Sequence, residues 1–143
     1  MSSRKIFRWV CLIIWMIVIF MFSNQAYSGN VTHGIIDRVL SDYLSGNWIS
    51  FVNFFIRKFA HLFEYFVLTM LVYLFIIVYN KLKKYIYYFS FLFCFLYSVT
   101  DEIHQAFVPG RTAVFRDCII DCCGGLCFLI LIYYRNKKRT ISD

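Results

Sequence analysis

Residues 57–79 read RKFAHLFEYFVLTMLVYLFIIVY, and this stretch decides the fold. From Phe66 to Tyr79 no residue is charged, whereas Arg57, Lys58, His61 and Glu64 crowd the start. A helix needs about 20 predominantly apolar residues to cross a bilayer core of about 30 Å. Phe59 to Tyr79 has that length. Arg57, His61 and Glu64 stand four and three residues apart, so a helix places them on one face, and Tyr65, four after His61, extends it. An ionisable group within a span costs about 2.5–3.5 kcal/mol on insertion scales, so such groups turn inward and pair. The stretch thus predicts a membrane-crossing helix with a polar patch at one end, which needs partner helices.

Those partners are visible on either side. Residues 6–23, 85–104 and 117–134 are apolar runs with few interruptions, so the spans are expected at about 6–23, 59–79, 85–104 and 117–134. The 143 residues are 61% hydrophobic and 22% aromatic, with charged residues at 16% and a single Pro. A soluble chain has about 45–50% apolar residues. These values exclude a disordered or collagen-like chain, and a chain this short could not cover so much apolar surface in water. A membrane β-barrel needs strands that alternate polar and apolar residues, and no segment does so. The expected fold is an all-α integral membrane protein: one domain over 1–143, built as a four-helix transmembrane bundle.

The basic residues predict its orientation. Ten of the fifteen Lys and Arg lie before the first span, between the second and third, and after the fourth. Only Asp143 among the acids joins them, leaving +9 on that side and −2 on the rest. The positive-inside rule puts both termini in the cytoplasm, in a multi-pass protein of the cell membrane. The same charge attracts anionic lipid and is no evidence for nucleic acid, since no recognition module accompanies it. A basic start followed by an apolar run is also the form of a signal peptide, with Ala26-Tyr27-Ser28 as the cleavage site. The run is long for that role, so a retained helix is expected. The six cysteines all lie within apolar runs and read as small buried hydrophobes.

Between the first two spans, Ile35, Ile36, Val39, Leu40, Tyr43 and Leu44 fall at helical spacing, with Asp37, Arg38, Ser41 and Asp42 opposite. A short amphipathic helix on the outer interface is expected there. Ser45-Gly46-Asn47 breaks it, and Trp48 to Phe55 forms an interfacial or re-entrant piece leading into the second span.

The third span carries a stripe of Ser90, Cys94, Tyr97, Ser98 and Asp101, with His104 and Gln105 three and four beyond. Its helix is expected to reach about Gln105, before Phe107-Val108-Pro109-Gly110-Arg111 turns the chain. The fourth span opens with Asp117 and Asp121 one turn apart. Gly124 and Gly125 continue that face and allow a neighbouring helix to approach closely. The candidate polar site is therefore Arg57, Lys58, His61, Glu64, Tyr65, Asp101, Glu102, His104, Gln105, Arg111, Asp117 and Asp121, with Arg116 beside it. One reading is a salt-bridge cap that locks the bundle. Another is a binding site, with arginines suited to phosphate or carboxylate. A third is acid–base catalysis by His61 or His104, oriented by Glu64 or Asp101. Metal sites in helical bundles use a paired Glu-x-x-His pattern, which is missing here. Ion-coupled transport lacks an internal repeat. The pattern assigns no cofactor, no metal, no catalytic residue and no oligomeric state.

Three ordered motifs also carry a resemblance. They are Arg57-Lys58-x-Ala60-His61-x-x-Glu64-Tyr65, then Asp101-Glu102-x-His104-Gln105-x-Phe107-Val108-Pro109-Gly110-Arg111, then Asp117-x-x-x-Asp121-x-x-Gly124. With Phe22-Ser23-Asn24-Gln25 at the end of the first span, the chain resembles VanZ-like membrane proteins. The resemblance implies a small bacterial cell-envelope protein. The founding member is associated with low-level resistance to the glycopeptide teicoplanin. The expected partners are membrane lipid and an anionic lipid headgroup or lipid-linked cell-wall precursor. The alternative is an integral membrane enzyme acting on such a headgroup.

Overall fold

The computed structural model describes residues 3–24, 34–35, 38–39, 45–109 and 113–142. The described residues form four long helices and no strand: α1 Ser3–Ser23, α2 Gly46–Ile76, α3 Ile86–Phe107 and α4 Phe115–Ser142. A 3-10 helix, Asn80–Tyr85, joins α2 to α3. The proposed cleavage site at Ala26-Tyr27-Ser28 lies outside the described residues. So does most of the expected amphipathic helix, of which Ile35, Arg38 and Val39 are described and helical.

The largest departure from the sequence reading is the length of α2. Residues 48–55 are not a separate interfacial or re-entrant piece but the opening turns of one 31-residue helix. No Pro or Gly interrupts the chain between Asn47 and Ile76, so nothing forces a break at Phe59. The carbonyl of Ser45 starts the helix by accepting from the amides of Trp48 and Ile49, at 2.9 and 3.1 Å. At 1.5 Å per residue α2 is about 46 Å long, well beyond the bilayer core.

α3 runs two residues past the expected end. It stops where Val108 takes an extended conformation, as the residue before Pro109 must. α4 begins with Asp117 in its first turn and ends with Arg139 in its last, charges that suit the two ends of the helix dipole.

α2 is the centre of the bundle. It packs most extensively on α4, then on α3 and α1, while α1 meets α3 only lightly. α1 buries a narrow stripe of Leu12, Ile19 and Ser23 and leaves Ile6, Phe7, Ile13, Ile17 and Met21 exposed. Below the polar end, Tyr65, Leu68, Val72, Ile76, Cys94, Phe128 and Leu129 form the core. Tyr73 and Tyr87 close the opposite end, their hydroxyls accepting from the Asn136 side chain at 3.1 and 3.2 Å. All six cysteines are free; Cys94 and Cys118 are buried, whereas Cys123 and Cys127 are exposed on the apolar outer surface. α1 and α2 are long and apolar enough to cross a membrane. Exposed Phe, Ile, Leu and Tyr side chains cover α3 and α4 as well.

Candidate functional site

Two glycines set the site by removing side chains from the α2–α4 seam. A Cβ built on Gly124 would lie 2.1 Å from the Leu62 carbonyl oxygen, so the backbones touch here. One built on Gly125 would meet Cys94 Sγ and Thr69 Oγ1, each at 2.7 Å. This is the close approach read from the sequence, now tied to particular neighbours. It places Asp121, one turn before Gly124, against His61, the neighbour of Leu62.

Asp121 is the hub. It is fully buried, and Ser98 Oγ on α3 donates to its Oδ2 at 2.7 Å. His61 Nδ1 on α2 lies 3.4 Å from its Oδ1, at ion-pair distance but outside hydrogen-bond geometry. Cys94 Sγ approaches its main-chain oxygen at 3.9 Å. One carboxylate thus joins three helices. Tyr65, also fully buried, lies within electrostatic reach of Asp121 and Asp101, and its hydroxyl makes no hydrogen bond among the described residues.

The remaining acids sit around this hub. Gln105 Nε2 donates to Asp101 Oδ2 at 2.9 Å, both side chains being buried. The amide of Val114 donates to Glu102 Oε2 at 2.8 Å and so ties the turn before α4 to α3. Glu102 Oε1 is buried without a hydrogen bond among the described residues. Towards the end of the bundle, Lys58 Nζ pairs with Asp117 and also lies over the Phe54 ring, 5.4 Å from its centroid. Arg57 is half-buried and Arg116 exposed, and neither pairs with an acid among the described residues.

The structure therefore gathers Lys58, His61, Tyr65, Asp101, Glu102, Gln105, Asp117 and Asp121 into one layer. Two expectations change. Asp101 pairs with Gln105, not with His104, because the fourth residue on, rather than the third, continues its buried face. The His104 ring turns to Phe20 of α1, centroids 4.5 Å apart, leaving its Nε2 buried without a hydrogen bond among the described residues. The second change concerns His61, whose Nδ1 meets Asp121 across the seam. Glu64 adds to the negative field at His61, and its main-chain oxygen accepts from Trp15 Nε1 at 3.0 Å. Arg111 lies outside the described residues.

Ser98 was part of the polar stripe but not among the candidate site residues, and it proves central. The signal was present, since Ser98 precedes Asp101 by three on the inward face. The roles of the Val114 amide, Trp15 and Phe20 had no sequence signal, as each depends on contact across the bundle. Among the described residues no group of three or more His, Cys, Asp and Glu is arranged to hold a metal ion.

Fold and site together define a class: an all-helical protein with two helices able to cross a membrane and a buried acidic layer at one end of three helices. The chain belongs to the VanZ/LLP1 family, whose sequence model matches residues 7–136. That match bears out the resemblance read from the three motifs. No curated protein and no solved structure matches the chain.

Proposed function

We propose that the chain crosses the membrane four times, with both termini cytoplasmic, and that its outward polar layer binds an anionic headgroup at the envelope face. The apolar surfaces of all four helices and the +9 against −2 charge division support the topology. The observation that carries the binding reading is unsatisfied hydrogen-bonding capacity beneath a basic rim. The Tyr65 hydroxyl and Glu102 Oε1 are buried without hydrogen bonds among the described residues. A layer serving only to lock helices would satisfy its members, because an orphaned buried polar atom costs about 1–3 kcal/mol. Above it stand Arg57, Lys58 and Arg116.

The charge pattern selects the ligand chemistry. The rim offers cations for phosphate. The floor of Asp101, Glu102 and Asp121 is rich in acceptors and asks for donors, which sugar hydroxyls and amide N–H groups supply. A lipid-linked cell-wall precursor carries both features and fits better than a bare anionic lipid headgroup. On this reading overproduction of the protein alters the teicoplanin concentration that cells tolerate. The direct test is binding of lipid-linked precursor to the purified protein and to Arg57→Ala and Arg111→Ala variants. We expect about a tenfold loss from either variant, as for one charge-assisted contact of about 1.5 kcal/mol. Equal binding by all three proteins refutes the reading.

One observation favours a second reading, acid–base catalysis on the same headgroup. His61, Asp121 and Ser98 form a chain in which a buried carboxylate faces the imidazole and is itself held by a hydroxyl. Turnover of bound precursor that His61→Gln abolishes, with binding retained, would establish it.

A further inference from the structure

We infer a second ligand site, for one anionic phospholipid, in the groove between α1 and α2 at the end remote from the polar layer. The groove has a volume of about 460 Å³ and is lined by Arg4, Phe7, Arg8, Cys11, Leu71 and Leu74, with Ser3 at its mouth. That volume lies within the range of small-ligand sites, about 300–1,000 Å³.

Its lining is split by chemistry. Phe7, Cys11, Leu71 and Leu74 form an apolar floor, and Arg4 and Arg8, one helical turn apart, form a basic rim. The Arg8 guanidinium donates to the main-chain oxygen of Leu74. This carbonyl belongs to the last turn of α2, where the helix supplies no amide partner of its own. The bond holds Arg8 across the groove and leaves most of its five N–H donors unused. Arg4 is exposed and makes no ion pair among the described residues. Lys5, by contrast, lies over the Tyr79 ring, 5.0 Å from its centroid. Among the described residues no carboxylate pairs with either guanidinium group.

One occupant satisfies both halves. A free phosphate gives the apolar floor no partner, and a zwitterionic lipid brings its own cation towards the arginines. An anionic phospholipid places its phosphate on Arg4 and Arg8, where guanidinium geometry allows two parallel hydrogen bonds. An acyl chain then follows Cys11, Leu71 and Leu74. The lipid would brace α1, which meets the rest of the bundle mainly through α2. The assignment to the cytoplasmic leaflet rests on the topology proposed above; the ligand chemistry does not.

The test uses the full-length protein in neutral detergent, titrated separately with phosphatidylglycerol, phosphatidylcholine and glycerol phosphate. Retained lipid is read by native mass spectrometry and stability by thermal unfolding, since a ligand of the folded state raises the midpoint. We expect one phosphatidylglycerol retained, with about a fivefold preference over phosphatidylcholine for each arginine engaged. Arg4→Gln should lose that preference and Arg4→Lys should recover part of it. Leu71→Trp, which fills the floor, should lower retention of phosphatidylglycerol with both arginines intact. Equal retention of the two lipids by the unaltered protein, or an undiminished preference in Arg4→Gln, overturns the proposal. So does stabilisation by glycerol phosphate equal to that by the lipid. A Ser3→Cys variant tests the leaflet separately. Labelling by an impermeant maleimide only after permeabilisation supports it. Labelling in intact cells beyond that of the unaltered protein, which carries six free cysteines, overturns the leaflet and the topology behind it, without touching a lipid preference measured in detergent.

Discussion

Replacing Gly124 by Ala adds a single methyl group where none fits. Its carbon would stand 2.1 Å from the Leu62 carbonyl oxygen, 3.0 Å from the carbonyl carbon and 3.2 Å from the Leu62 Cα. All three are backbone atoms, so no rotamer change relieves the clash. A Cβ essentially never comes within 3.0 Å of such an atom, so α4 must withdraw from α2 by about 1 Å. Asp121 is one turn away on the same helix. The His61 Nδ1 to Asp121 Oδ1 distance, 3.4 Å in the structure, would then exceed ion-pair range. Overpacking of this kind destabilises by about 1–3 kcal/mol. The assay is equilibrium unfolding in mixed micelles, combined with a double-mutant cycle of His61→Ala and Asp121→Ala. In the parent the cycle should give a coupling of about 0.6–1.7 kcal/mol, the range for polar pairs in membranes. In the Gly124→Ala background it should fall towards zero. Gly125→Ala should be milder, because its new methyl meets the side-chain atoms Cys94 Sγ and Thr69 Oγ1, which can move. Unaltered stability and coupling in Gly124→Ala would refute the backbone-contact account of the seam.

Three further outcomes follow from the same geometry. Asp121→Ala leaves Ser98 without its acceptor and should destabilise by about 1–3 kcal/mol; once it is made, Ser98→Ala should add little, because the two act as one unit. Unfolding measurements that find the two losses fully additive would separate them. Reversing either Lys58→Glu or Asp117→Lys alone should lower stability by up to about 1 kcal/mol, as for a partly exposed pair, and the double exchange should restore it; failure of the restoration would show that the pair does not hold α2 to α4. His104→Phe should leave precursor binding unchanged and stability equal or slightly higher, since the ring packs on Phe20 and its Nε2 makes no hydrogen bond among the described residues. A loss of binding would place His104 in the site.

Much of this protein is legible in one dimension because long apolar runs and helical periodicity follow simple rules. Hydrophobic length and helical periodicity identified the helices, and the position of Pro109 predicted the end of α3 to within two residues. The joint reading of Asp117, Asp121, Gly124 and Gly125 as one face was sound, because residues on a single helix have a known geometry. The continuity of α2 through Trp48 to Phe55 was not legible, since aromatic residues suit an interfacial segment and a helix equally well. The pairings were not legible either: Asp101 meets Gln105 rather than His104 on its own helix, and His61 meets Asp121 on another helix.

By itself the amino-acid sequence determined that the chain is helical, that most of its basic residues flank the apolar runs, and that polar residues at steps of three and four share a helix face. All three follow from the cost of placing polar groups among apolar ones, which depends on residue type and spacing. Only the tertiary structure decided which carboxylate meets the imidazole, that Ser98 completes the pair, and that the Tyr65 hydroxyl and Glu102 Oε1 make no hydrogen bond among the described residues. Those outcomes depend on how closely α4 approaches α2, a distance set by a missing side chain at Gly124 facing one carbonyl at Leu62, and no rule of spacing along a single helix contains it.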